Sequence, residues 1–67
     1  MNIFINGNLK QLASENVTIS ILIVTLNLVG KRLAVEKNGE IVPRSQFDAV
    51  SLVEGDKLEI VGAVGGG

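Results

Sequence analysis

Isoleucines alternate with other residues over residues 2–5, and this period of two is typical of a half-buried β-strand. The segment ends at Asn6-Gly7. Asparagine-glycine favours a two-residue hairpin turn, because both positions need a positive φ. Residues 9–12 follow as a second, less regular segment of the same kind. The pattern predicts an N-terminal β-hairpin.

Three further strands are predicted, at residues 33–37, 40–42 and 57–61. Asn38-Gly39 joins the first two as a second hairpin, and Pro43 ends it because proline cannot donate to a strand ladder. Residues 54–56 form a turn before the last strand. A short helical turn is predicted at residues 45–49 around Phe47, which we expect in the core because the chain has few aromatic residues.

One helix is predicted, at residues 18–29, with Thr18 as its N-cap and Gly30 just past its end. Its apolar residues recur at helical spacing, at Ile19, Leu22, Ile23, Leu26 and Val29. Leu22 and Leu26 are expected to face the sheet together. Several β-branched residues lower the helix propensity, and Ile21 stands where a glutamate would complete a capping box with Thr18.

Together these elements predict an α+β fold in which a mixed sheet of about five strands packs on one helix. The first and last strands can pair in parallel at the centre of the sheet through a right-handed crossover. This is the arrangement of ubiquitin-like β-grasp proteins. A chain of 67 residues forms one modest core, so residues 1–67 are expected to be a single domain.

The composition excludes several kinds of site. The chain contains neither histidine nor cysteine, so a serine has no imidazole to activate it, and zinc sites of the usual ligand types are excluded. The net charge is −1, with no basic block and only two aromatic residues, which argues against a nucleic-acid partner. We expect no bound metal or cofactor, and a protein that other enzymes act on instead of an enzyme.

The N-terminus lacks the pattern of a signal peptide. The most apolar stretch, residues 19–29, falls short of the roughly 20 residues that a membrane-spanning helix needs. The sequence therefore predicts a cytoplasmic protein without a membrane partner, monomeric when free.

The C-terminal residues Gly65, Gly66 and Gly67 are the unusual feature of the chain. Three consecutive glycines lose much conformational entropy on ordering, so residues 64–67 are expected to be flexible. One interpretation is an inert, frayed terminus. The other is that a strand without side chains threads a narrow channel in another protein and delivers the terminal carboxylate to a distant active site.

Three segments of the chain carry a family resemblance: residues 34–44, which include Asn-Gly-Glu-Ile-Val-Pro-Arg, residues 54–61, which include Gly-Asp, and residues 63–67 with the terminal glycines. In this order they resemble the ThiS family, the sulfur carriers of thiamine biosynthesis, over essentially the whole chain. The chain departs from the family pattern at Ile21 and Val24, where the family usually has smaller or more polar residues. We interpret this as drift on an exposed helix face; the alternative is an apolar patch for self-association or for a partner.

The resemblance implies a chemistry for the tail. The Gly67 carboxylate would be the covalent carrier site: a ThiF-like enzyme would adenylate it with ATP, and a cysteine-derived sulfur donor would turn it into a thiocarboxylate. A ThiG-like thiazole synthase would then take the sulfur. Val64, Gly65 and Gly66 would be the part of the tail that enters the partner's channel. No catalytic side chain on this chain is implied.

Three other functions stay open from the residues alone. A ubiquitin-like modifier would be joined through Gly67 to lysines of other proteins, and its first step would also be an acyl-adenylate. A carrier like the small subunit of molybdopterin synthase would use the same chemistry in another pathway. A plain binding module would carry an inert tail.

Overall fold

The structure, a computed structural model, describes residues 1–62. These residues form a five-stranded mixed sheet with one α-helix and one short 3₁₀ helix. The elements in chain order are β1 (Asn2–Ile5), β2 (Asn8–Gln11), α1 (Ile19–Thr25), β3 (Leu33–Lys37), β4 (Glu40–Val42), the 3₁₀ helix (Arg44–Gln46) and β5 (Lys57–Gly62). The predicted order of elements and the α+β class are confirmed.

The strands lie in the order β2-β1-β5-β3-β4, and β1 and β5 run parallel at the centre. The two predicted hairpins are β1–β2 and β3–β4, both antiparallel. Two predicted boundaries differ: β2 begins at Asn8 and ends at Gln11, and β5 continues to Gly62 because it pairs with β3 as far as Leu33.

The helix begins where the sequence predicts it but ends earlier. Thr18 caps it, since its side-chain oxygen accepts a hydrogen bond from Ile21 N at 3.2 Å. The predicted end near Val29 is wrong, because α1 stops at Thr25 and Asn27 has a φ of 60°. Leu28 N donates to Ile23 O at 2.9 Å and Asn27 N to Val24 O at 3.0 Å. This pairing is a Schellman motif, which an asparagine in the left-handed region can form in place of glycine.

The core lies between α1 and the inner face of the sheet. Leu22 is fully buried, whereas Leu26 is only partly buried at its edge. The buried apolar residues are Ile3, Leu12, Val17, Ile19, Leu22, Val35, Phe47, Leu52, Leu58 and Ile60. Phe47 is therefore a core residue, as predicted.

The segment after Pro43 supports the start of α1. The helical turn predicted at residues 45–49 is a shorter 3₁₀ helix, Arg44–Gln46, which begins one residue earlier and ends three residues earlier. Behind it, the carbonyls of Phe47 and Val50 accept hydrogen bonds from Ser20 N and Ile19 N, each at 3.1 Å. The first helical N–H groups, which have no partner within the helix, are thus satisfied by this segment. Within residues 1–62, no helix reaches the length and apolarity needed to cross a membrane.

Candidate functional site

The predicted site residues Val64, Gly65, Gly66 and Gly67 lie outside the described residues. The structure instead describes the strand from which they continue, β5, which ends at Gly62. β5 lies between β1 and β3 at the centre of the sheet. Its inward side chains, Leu58 and Ile60, are buried in the core. The tail therefore continues from the central strand of the sheet.

Asn6 fastens β5 next to the point where β1 ends. The Asn6 side-chain Oδ1 accepts from Ile60 N at 2.8 Å, and its Nδ2 donates to Ile60 O at 3.0 Å. Its own backbone N donates to Leu58 O at 2.9 Å. The amide group thereby replaces the main chain of a neighbouring strand, so the pairing of β5 extends two residues past Leu58.

Asn38 fastens the beginning of β5 from the other hairpin. Its backbone N donates to Lys57 O at 2.7 Å, and its side-chain Oδ1 accepts from Lys57 N at 2.9 Å. Its Nδ2 donates to Asp56 Oδ1 at 3.0 Å. Both asparagines of the two hairpin turns therefore hold the same strand.

Asp56 is the buried charged residue of residues 1–62, with 5% of its surface exposed. Its Oδ2 accepts from Val53 N at 2.9 Å, while Oδ1 is bound to Asn38. Burial of a carboxylate is costly unless hydrogen bonds compensate it, and here both oxygens have a donor. Asp56 thus joins the turn before β5 to the turn between β3 and β4.

The turn before β5 is also bound to β1. Gly55, whose φ is 86°, donates its N–H to Asn2 O at 2.8 Å. Asn2 N donates to Glu54 Oε1 at 3.0 Å, and Phe4 N donates to Asp56 O at 2.9 Å. These bonds connect residues that are far apart in sequence, and they place β5 in register with β1.

The outer face of the sheet carries both apolar and charged residues. Phe4 pairs with Leu9 on one side and with Lys57 on the other, and Glu36 pairs with Glu59 and Ile41. An open groove of about 710 Å³ lies here, lined by residues that include Phe4, Glu36 and Lys57. No cluster of three or more histidine, cysteine or acidic residues that could hold a metal occurs in residues 1–62.

The two helix positions at which the chain departs from the ThiS pattern are both on the surface. Ile21 is 47% exposed and Val24 is 64% exposed. Sequence reasoning located these exposed residues but missed the role of Asn6 and Asn38 beyond their turns. The available signal was the choice of asparagine at both turns, since an amide side chain can both donate and accept hydrogen bonds.

Comparison with known proteins adds a family to this geometry. The model of the ThiS family matches residues 3–67. The sulfur carrier protein ThiS of Bacillus subtilis is 35% identical over 63 residues, which cover 94% of this chain and 96% of that protein. A thiazole synthase of Paramagnetospirillum magneticum is 42% identical over 67 residues, and one of Magnetococcus marinus is 36% identical. The chain spans about a fifth of the length of these two thiazole synthases.

A solved structure agrees with the fold. The crystal structure of the thiamine biosynthesis protein ThiS from Geobacter metallireducens matches with a TM-score of 0.88 at 32% identity, and the match covers 100% of both chains. The sheet built on β5, the match of the family model to residues 3–67 and the full-length likeness to the Bacillus protein agree. This chain belongs to the ThiS family.

Proposed function

We propose that this chain is a sulfur carrier of thiamine biosynthesis and that it carries sulfur on the carboxylate of Gly67. The observation that carries the proposal is the extent of the family match, which runs to residue 67 and so includes the terminal glycines. The Bacillus subtilis relative, which is described as a sulfur carrier protein, is matched over 96% of its length. Matches of this extent favour a shared mode of action over a shared fold alone.

The proposed reaction has two steps and uses no side chain of this protein. In the first, a carboxylate oxygen of Gly67 attacks the α-phosphorus of ATP on an adenylating enzyme, and pyrophosphate leaves. In the second, hydrosulfide (HS⁻) supplied by the cysteine-derived donor attacks the acyl carbon and AMP leaves; loss of the S–H proton then gives a thiocarboxylate. The absence of histidine and cysteine from the chain is compatible with this chemistry. Because ATP is consumed, we expect the reaction in the cytoplasm.

The described residues support the proposal by providing a rigid base for the tail. β5 is paired on both sides, and its backbone at Ile60 is held by Asn6. Fully extended, residues 63–67 would reach at most about 18 Å beyond Gly62. A carboxylate delivered over such a distance needs an origin that does not move, and a strand at the centre of the sheet supplies one.

The proposed partners are an adenylating enzyme of the ThiF type, a cysteine-derived sulfur donor and a thiazole synthase of the ThiG type. The last is supported by the relatives in which a region matching this whole chain occupies about a fifth of a protein called thiazole synthase. The occurrence of both parts in one protein is what we expect if the carrier and the synthase work side by side.

The experiment is an intact-mass measurement of the protein after incubation with the adenylating enzyme, ATP and the sulfur donor. We expect a gain of about 16 Da, because sulfur replaces one carboxylate oxygen. Two control variants keep the folded domain: one lacks Gly67, and the other has one residue added after it. Neither should gain mass. A gain of equal size in either control would contradict the proposal, and a bond to a lysine of another protein would indicate a modifier instead.

A further inference from the structure

A groove at the end of α1 differs in charge from the rest of the molecule. It has a volume of about 460 Å³, and its described lining residues include Lys31, Arg32 and Arg44. These are three of the six lysines and arginines of the chain, whereas none of the seven carboxylate residues is among its described lining. The Asp48 carboxylate accepts a hydrogen bond from Ser20, which lines the groove.

The groove is also apolar. The buried side chain of Phe47 and the half-buried side chains of Ile23 and Leu28 line it. Val24 and Val29 line it as well and are 64% and 67% exposed. Adjacent exposed apolar side chains rimmed by charges are typical of protein-binding surfaces. The positive charges of Lys31, Arg32 and Arg44 repel one another, so an anionic partner is attracted by all three.

The position of the groove connects it with the tail. Leu33, the first residue of β3, lines the groove and pairs with Gly62, the last described residue of β5. A protein that receives residues 63–67 therefore has this groove within reach. The outer face of the sheet is a different surface, where Glu36 and Glu59 stand side by side.

We infer that this groove binds an acidic surface segment of thiazole synthase, with an apolar side chain of that segment placed between Val24 and Val29. The inference rests on the proposed function, because it takes thiazole synthase as the protein that receives the tail. The choice of this enzyme follows from the two relatives that contain a matching region within a thiazole synthase. The groove would add a salt-sensitive attachment that is separate from the tail itself.

The test measures the dissociation constant of the full chain with thiazole synthase from the same organism, at about 50 mM and about 300 mM salt. Arg32→Glu and Arg44→Glu should each weaken binding about tenfold at low salt, because an attraction becomes a repulsion. The difference from wild type should shrink at high salt. Arg32→Lys, which keeps the charge, should bind within about twofold of wild type.

Lys10→Glu is the matched control, since it makes the same charge change on the exposed edge strand β2. It should change the dissociation constant less than about twofold. Equal weakening by Lys10→Glu and Arg32→Glu would mean that only net charge matters and would overturn the inference. The inference would also be overturned if both arginine variants bound as tightly as wild type. It would be overturned as well if the wild-type chain were a dimer that Arg32→Glu dissociates. Urea melts establish that each variant is folded.

The two proposals fail in different ways. If the wild-type chain gains the mass of a thiocarboxylate but Arg32→Glu and Arg44→Glu bind thiazole synthase as tightly as wild type does, the groove inference is overturned and the carrier function stays intact. A chain that never gains this mass contradicts the carrier function itself. The binding measurement tests the groove and the mass measurement tests the carrier function, so the two outcomes can be told apart.

Discussion

The two hairpin turns of this protein have the same Asn-Gly sequence and nearly the same φ values, yet their asparagine side chains bind different partners. Asn6 and Gly7 have φ values of 50° and 84°, and Asn38 and Gly39 have 52° and 87°. Among residues 1–62, the Asn6 side chain binds the backbone of Ile60 and no other group. The Asn38 side chain binds the backbone of Lys57 and also the carboxylate of Asp56. What each asparagine contributes is therefore set by its distant partner and not by its turn.

The difference matters for stability because only one of the partners, the Asp56 carboxylate, is charged. A hydrogen bond to a charged group contributes about 1.5–3 kcal/mol, and a neutral one about 0.5–1.5 kcal/mol. Asp56 is buried and needs both of its donors, whereas Asn6 binds an uncharged peptide group. The turn that holds Asp56 should therefore be the more sensitive of the two.

The largest effect is expected for Asp56→Ala. The substitution leaves Val53 N and Asn38 Nδ2 without their acceptor, and each of these groups is part-buried. We expect a loss of about 3 kcal/mol in the free energy of unfolding, measured by urea melts. Glu59→Ala, which removes an exposed carboxylate from the neighbouring strand β5, is the control and should stay within about 0.5 kcal/mol. Equal losses in the two variants would contradict the role assigned to Asp56.

Asn38→Gly should cost less, about 2 kcal/mol, because Asp56 keeps its bond from Val53 N. Glycine accepts the positive φ of the turn, so the backbone of the hairpin is retained. The double variant Asn38→Gly/Asp56→Ala should lose clearly less free energy of unfolding than the sum of the two single variants, since both substitutions remove the same hydrogen bond. Strict additivity in urea melts would show that the bond between Asn38 and Asp56 contributes nothing.

Asn6→Gly is the matched substitution in the other turn, and we expect a loss of about 1 kcal/mol. The effect should also be local. Hydrogen exchange of the Ile60 N–H should become faster, because this group loses its acceptor, while exchange of the Lys57 N–H should change little. A loss as large as that of Asn38→Gly would remove the distinction between the two turns.

The smallest effect is expected outside both turns, for Ile21→Glu. Ile21 is the third residue of α1 and is 47% exposed, so a glutamate there can complete a capping box with Thr18. We expect the free energy of unfolding to change by less than about 0.5 kcal/mol. Ile21→Ala separates the loss of apolar surface from the gain of a cap. A large loss in the free energy of unfolding of Ile21→Glu, measured by urea melts, would show that the core needs the Ile21 side chain.

Local patterns were sufficient for most of the fold. Alternation predicted the strands, and the two Asn-Gly turns predicted both hairpins with the correct partners. Thr18 was correctly predicted as the N-cap. The resemblance to the ThiS family is confirmed by the family match, by the Bacillus relative and by the Geobacter structure. The assignment of Gly67 as the carrier site remains a prediction, since residues 63–67 lie outside the described part of the chain.

The end of the helix shows why local patterns failed elsewhere. The apolar spacing continued through Val29, and Gly30 supplied an obvious stop, so the prediction ran too long. The chain instead turns at Asn27, where the half-buried side chains of Ile23 and Leu28 lie at the two ends of the Schellman motif. That choice depends on what can be buried against the sheet, which periodicity alone does not contain.

The sequence by itself determined the order of the elements and the turn chemistry, because these depend on residues a few positions apart. It also determined the family, because the three segments that carry the resemblance can be read along the chain without its fold. Only the tertiary structure decided what the turn asparagines hold, since Asn6 and Ile60 are separated by 54 positions and Asn38 and Asp56 by 18. The same is true of the basic groove, which joins Arg44 to the end of α1. The partner of a side-chain amide or a guanidinium group cannot be read from the sequence. Hydrogen bonds form over only a few ångströms, so the partner is set when the folded chain brings the two groups together.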